Sequence, residues 1–142
     1  MENPKRSARK RSKIIICIVI GIAAIALVVG AYFLISLQNY RKDVAAIQTQ
    51  NVNLATVDDG EYFGNCDVGL VSARVRVVVE NHAIIAIELL EHNNGRGAPA
   101  ESIPDEIIRE QRIDVEAVSG ATASSKVITE AVFNALSENT RR

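Results

Sequence analysis

Leu70-Val71-Ser72-Ala73-Arg74-Val75-Arg76-Val77-Val78-Val79-Glu80 is followed directly by Asn81-His82, and then by Ala83-Ile84-Ile85-Ala86-Ile87-Glu88-Leu89-Leu90. In the first run Ala73, Val75, Val77 and Val79 alternate with Arg74, Arg76, Val78 and Glu80. A period of two puts one set on each face of a half-buried strand. The second run is rich in β-formers, and a two-residue polar gap between such runs is a hairpin signal, although Asn-His is a weaker turn than Asn-Gly. His82 therefore reads as a turn residue. This hairpin is the centre from which the rest of the fold is read.

Upstream of it, Asp58-Asp59-Gly60 is a turn signal and Glu61 to Asn65 reads as a short strand carrying Tyr62 and Phe63. Downstream, Glu91 to Pro99 is a polar glycine loop. A helix follows between Pro99 and Gln111, with Ile103, Ile107 and Ile108 on one face; Pro99 and Pro104 each suit its first turn. Arg112 to Val118 leads to a last helix, about Ser124 to Glu138, whose Val127, Ile128, Ala131, Val132, Ala135 and Leu136 share one arc. Phe133 lies off that arc. Strands first and helices after predict an α+β domain over residues 58–138, a small antiparallel sheet with two helices packed on it.

The other half of the chain is a different material. Residues 1–13 carry Lys5, Arg6, Arg9, Lys10, Arg11 and Lys13 against Glu2, while no charge interrupts Ile14 to Asn39. The apolar run is long enough to cross a ~30 Å hydrocarbon core, so residues 14–36 are expected to be one transmembrane signal anchor. A cleaved leader has a shorter apolar region and a small-residue cleavage site, and cleavage is the less favoured alternative. Tyr32 and Tyr40 are expected as interfacial anchors. The basic excess ahead of the span predicts a cytoplasmic N-terminus and a domain outside the cytoplasm. Residues 37–57 read as a juxtamembrane spacer, although Val44 to Ile47 permit the helix to continue. From Leu54 onward there are eight Lys/Arg against fifteen Asp/Glu, an acidic balance that argues against nucleic-acid binding. Of the two cysteines, Cys17 lies in the span and Cys66 is left without an intramolecular partner; with His82 and His92 it matches no zinc spacing. Nothing near Cys66 would lower its pKa, so it reads as structural. No hydrolytic catalytic pair or nucleophile elbow is visible.

The chemistry-bearing stretch is Ser119-Gly120-Ala121-Thr122-Ala123-Ser124-Ser125. Its small residues leave the backbone open, and the helix behind it aims unpaired N–H groups and a positive dipole end at the loop, the local chemistry of a phosphate site. The same residues also suit a plain turn with Ser124 or Ser125 as N-cap. The loop lacks the second glycine and the Gly-Lys-Ser/Thr ending of a Walker A sequence.

Val118-Ser119-Gly120-Ala121-Thr122 with Ser124-Ser125 resembles the signature of the FMN-binding domain family, which includes small flavin subunits of membrane redox complexes that pump sodium ions or protons. Asp59-Gly60-Glu61-Tyr62-Phe63-Gly64 is similar to the family's opening motif. The hairpin, Leu89-Leu90-Glu91-His92 and the glycine loop follow in the family's order, as does Ile113-Asp114-Val115-Glu116-Ala117-Val118 ahead of the signature. The resemblance implies FMN as cofactor and Thr122 as the residue that carries it through a phosphoester bond installed by a flavin transferase. Such transferases favour aspartate six residues before the threonine, where this chain has Glu116; FMN held without a covalent bond is the alternative.

By the same resemblance Ser119, Gly120, Ala121, Ser124 and Ser125 would surround the phosphate or ribityl chain. Lys126 would neutralise the phosphate; its alternative is a solvated lysine. Gly95 and Gly97 would let backbone approach the flavin ring. His92 would contact the ring, and Arg96 would stabilise the negative charge of a reduced flavin; strand-end hydrogen bonding and a surface loop arginine are the alternatives. The implied function is a membrane-anchored electron carrier that exchanges electrons with a membrane redox partner or an extracytoplasmic reductase. Flavin subunits of the ion-pumping complexes are usually longer. A non-redox assembly module that keeps the fold is the second expectation. A self-sufficient flavin reductase would need a nicotinamide site, and no Rossmann fingerprint is present.

Overall fold

The computed structural model describes residues 4–48, 50–95 and 97–137, with side chains from Ile16 onward. The chain forms two compact units that meet between Asn39 and Tyr40. The first unit is the long helix α1, which runs Pro4–Ala46 and whose last turns belong to the second unit. From Ile16 its apolar side chains are exposed, Ile25 and Leu27 among them. It is long and apolar enough to cross a membrane.

The second unit is a three-stranded antiparallel meander with two helices. The strands are β1 (Gly60–Asp67), β2 (Ser72–Glu80) and β3 (Ala83–Asn93), in the order β1-β2-β3. After a 3-10 turn at Ala98–Ser102 come α2 (Ile103–Glu110) and α3 (Thr122–Ser137). Helix α3 lies across β1 and β2, and α2 lies against β3. The α+β reading is the observed architecture, and the turn falls at Asn81-His82, both at positive φ as the tight hairpin requires.

The core follows from the alternation in β2. Ala73, Val75, Val77 and Val79 are buried against Val127, Ile128, Ala131, Val132, Ala135 and Leu136 of α3. On the other face Arg76 forms ion pairs with Glu88 on β3 (2.6 Å) and Glu61 on β1 (3.3 Å), and Arg74 meets Glu91 (2.5 Å). Each such exposed pair contributes little, ~0–1 kcal/mol.

Strand β3 is longer than expected and has register shifts opposite Arg74/Val75 and Val78/Val79. Val79 faces Ile84, Val77 faces Ile87, Val75 faces Leu89 and Ala73 faces His92. The inward series is thus 84, 87, 89, 92. Strict alternation from Ile84 would have turned Glu88 into the core; the bulge flips the middle of the strand, so that Ile87 and Leu89 face inward and Glu88 meets Arg76. Ile85 and Leu90 stay exposed.

Two contacts tie the helices to the sheet. Gly64 lies under α3: a Cβ there would overlap the Ala131 carbonyl oxygen and sit 2.8 Å from the Ala135 Cβ. Gln111 ends α2 in the left-handed region, with Oε1 accepting from the Ile84 N–H (2.9 Å) and Nε2 donating to the Ile84 (2.8 Å) and Ile108 (2.6 Å) carbonyls.

The segment expected as a spacer is built into this unit. Tyr40, Ile47, Val52 and Leu54 pack against the core, and Asn51 Oδ1 accepts the N–H groups of Ile113 (2.9 Å) and Asp114 (3.2 Å).

Candidate functional site

The loop before α3 is a β-turn in which the Ala121 N–H donates to the Val118 carbonyl (2.9 Å). Gly120 has φ +80°, the left-handed value that the third position of a type II turn demands. Ala121 is the last residue before the helix, and its carbonyl accepts the Ser125 N–H (2.9 Å). An alanine at the N-cap has no side-chain acceptor to turn back on the first-turn N–H groups. Those of Thr122, Ala123 and Ser124 are left for an external acceptor.

Beside these donors is a cavity of about 140 Å³, lined by Gly120 to Ser124, Gly97, Asn94, Val71 and Tyr40. Small-molecule pockets run to ~300–1,000 Å³. This one has the size for a phosphate and the start of a chain, with a large ring system left outside. Gly97 brings the two loops together: a Cβ there would collide with the Ser124 hydroxyl and lie 2.6 Å from its Cβ. The Gly97 N–H in turn donates to the Asn94 carbonyl (2.7 Å).

The expected site residues divide into groups. Thr122 is exposed, stands first in α3 and lines the cavity. Gly120, Ala121, Ser124 and Gly97 line it too, Ser124 as a buried residue. Ser119 is exposed at the turn. Ser125 is committed to the loop itself, its Oγ accepting the Val118 N–H and donating to the Ala121 carbonyl, each at 3.0 Å. Ser125 thus braces the turn from within the helix and is not its N-cap, a position held by Ala121. Gly95 supplies a positive φ (+54°) to the neighbouring loop. Glu116 is exposed on the irregular segment before the turn. Arg96 lies outside the described residues.

Lys126 differs from its expectation. Its Nζ donates to the Val44 and Ile47 carbonyls, both at 3.4 Å, at the C-terminal end of α1. Because α3 begins at Thr122 rather than near Ser124, Lys126 lies just past its first turn, and its ammonium meets carbonyls at the C-terminal end of another helix, a favourable place for a cation. His92 also meets a protein partner, since its Nδ1 is 3.2 Å from Glu101 Oε1 and its side chain is only 4% exposed. Asn94 donates to the same Glu101 oxygen (3.1 Å), which makes a small network under the glycine loop. Strand-end hydrogen bonding is thus seen at Nδ1, while Nε2 is buried with no partner among the described residues.

Three lining residues were not anticipated: Tyr40, Val71 and Asn94. Asn94 had a signal, because it precedes Gly95 in the loop that was singled out. Tyr40 had a misleading one, since an aromatic after an apolar run reads as an interfacial anchor. Burial pushes the Cys66 thiol up to about 11, with Glu130 and Asp67 adding to the shift, as befits a structural cysteine. Among the described residues no three His, Cys, Asp or Glu side chains gather as a metal site.

A short meander, two helices and donor groups left open at a helix N-terminus define a small cofactor-binding module. Residues 71–137, from the end of the β1–β2 connection through α3, match the model of the FMN-binding domain family. No curated protein matches the chain. The match is to an FMN-binding domain and indicates FMN as the cofactor of that stretch. The geometry fits it: the backbones of Gly97 and Gly120 form part of the cavity wall, the α3 N–H groups suit a phosphate, and Thr122 lines the cavity beside them.

Proposed function

We propose that the protein is a membrane-anchored electron-transfer flavoprotein whose FMN is joined through its phosphate to Thr122. The observation that carries this reading is the position of Thr122, exposed at the first turn of α3 and lining the cavity beside the open N–H groups. A phosphate ester there keeps two charged oxygens for those donors. Forming it requires an activated FMN donor, because a free phosphate monoester is a poor electrophile. With a flavin dinucleotide as donor, the Thr122 Oγ1–P bond forms, the anhydride P–O bond breaks, the nucleoside monophosphate leaves as the anion, and the hydroxyl proton passes to solvent. A flavin transferase is the partner that supplies this step.

Flavin accepts and releases electrons singly or in pairs, which is the chemistry the group brings when bound. The protein's part is to hold the phosphate end and leave the ring outside a cavity too small for it. That suits exchange with a redox partner and needs no substrate pocket. The apolar helix supports an anchor, and the basic segment before it supports a cytoplasmic N-terminus with the domain on the other side. The partner is then a membrane redox protein or an extracytoplasmic reductase.

The test is co-expression of the full chain with a flavin transferase, followed by in-gel fluorescence and mass spectrometry. An FMN-sized addition on the Thr122 peptide, lost in Thr122→Ala, is expected. A dark band from yellow protein would replace the bond with noncovalent FMN and point to Glu116. A dark band from colourless protein would overturn the redox reading and leave a non-redox assembly module.

A further inference from the structure

Tyr40 lines the same cavity as Thr122 although 81 residues separate them and it lies well ahead of the matched domain. We propose that Tyr40 is a cofactor-contacting residue of this site, and that residues 40–53 form a strap whose work is to hold it there. The proposal rests on the FMN reading above.

The strap has independent fastenings. Lys126 Nζ takes the carbonyls of Val44 and Ile47, and these lie one to two turns beyond Tyr40. Ile47 and Val52 pack against the core, and Asn51 Oδ1 holds the N–H groups of Ile113 and Asp114. Asn53 Oδ1 accepts the Ala55 N–H (3.2 Å) and caps the 3-10 turn at Leu54–Thr56. Ordering this many residues against a small domain costs conformational entropy that a plain spacer would not lose. What the ordering achieves at the site is one aromatic wall with a phenolic hydroxyl.

The cavity wall otherwise consists largely of small residues, with the Asn94 side chain hydrogen-bonded to Glu101. Beside the hydroxyls of Thr122 and Ser124, Tyr40 adds an aromatic ring that can cover the α3 N–H groups and a phenolic donor for a phosphate or ribityl oxygen. Lys126 acts through it as a positioning residue, fastening the helix end that carries Tyr40.

The experiment uses the full chain in mild detergent, made in cells without a flavin transferase so that FMN binds reversibly, and titrates FMN by fluorescence. Tyr40→Phe is expected to raise Kd about 3-fold to 10-fold, as loss of one hydrogen bond does. Tyr40→Ala is expected to raise it further, with the melting temperature of the cofactor-free protein little changed in Tyr40→Phe. Lys126→Met should raise Kd in the wild-type background and add nothing in Tyr40→Ala, the pattern of a residue that acts through another. A loss confined to Tyr40→Ala assigns the contact to the ring and supports the proposal. Wild-type Kd in both Tyr40 variants overturns it and leaves the FMN reading intact. Failure of the wild-type chain to bind FMN reversibly overturns the proposal, while the covalent reading is decided separately by the adduct on the Thr122 peptide. Should Tyr40→Ala not fold, Tyr40→Leu, which removes both ring and hydroxyl but keeps apolar bulk, takes its place.

Discussion

A serine and a glycine set the shape of the site without touching a ligand through polar groups of their own. Ser125 Oγ closes the turn from both sides, so Ser125→Ala leaves the Val118 N–H without its partner. Loss of about 1–3 kcal/mol of stability is expected, read by urea denaturation, with weaker FMN binding as the turn loosens. Gly97→Ala drives a methyl into Ser124, and a cost of ~1–3 kcal/mol is expected because the facing atoms belong to a helix that cannot step back. Cys66 offers a test by pH. Its thiol titrates near 9.0 when unperturbed and about 11 here, burial being the first cause, so folding favours the protonated form. The stability this gives is fully present below 9.0 and is lost as pH rises through about 11. Alkylation of the native protein at pH 8 should accordingly be much slower than in urea; equal rates would contradict a buried, unactivated thiol. That Thr122, Gly120 and Gly97 line one cavity was legible because small residues ahead of a helix and a glycine loop are local signals. Lys126 was not, because the carbonyls it meets come from a helix end about eighty residues away in sequence, and no local pattern announces such a partner.

At the scale of elements, legibility tracks periodicity. Strand β2 and helix α3 each show one clean period, and the predicted inward residues are the buried ones. Strand β3 shows none, because Ala83 to Leu90 is apolar at every position except Glu88. Its register shifts are fixed by cross-strand partners: Arg76 draws Glu88 outward, and Val77 and Val75 receive Ile87 and Leu89. Deleting Ile85 is therefore expected to be far more damaging than changing it. Ile85→Thr, on an exposed position, should stay within ~0.5 kcal/mol of wild type. The deletion shifts every following residue to the other face and should abolish the cooperative thermal transition seen by circular dichroism. The end of α1 was equally hard to read. Its polar sequence after Leu37 looks like spacer, and only the fastenings at Asn51 and Lys126 show it to be part of the domain.

At the scale of the molecule, the compact unit that begins at Tyr40 is larger than the stretch of residues 71–137 that the family model matches. Two fragments separate the possibilities: residues 38–142, which keep the strap, and 54–142, which do not. The shorter one is expected to melt several degrees lower, since ~1 kcal/mol moves Tm by roughly 4–8 °C in a domain of this size, and to bind FMN more weakly. Equal melting points would reduce residues 40–53 to a linker. The sheet's free edge carries one more consequence. Strand β3 ends the order β1-β2-β3, and an unpaired edge invites another copy to add a strand. Here Gln111 already occupies the N–H and C=O of Ile84, and the bulges break the straight ladder that an incoming strand would need. The same irregularities that aim Glu88 at Arg76 make this edge a poor template for strand addition by a second copy.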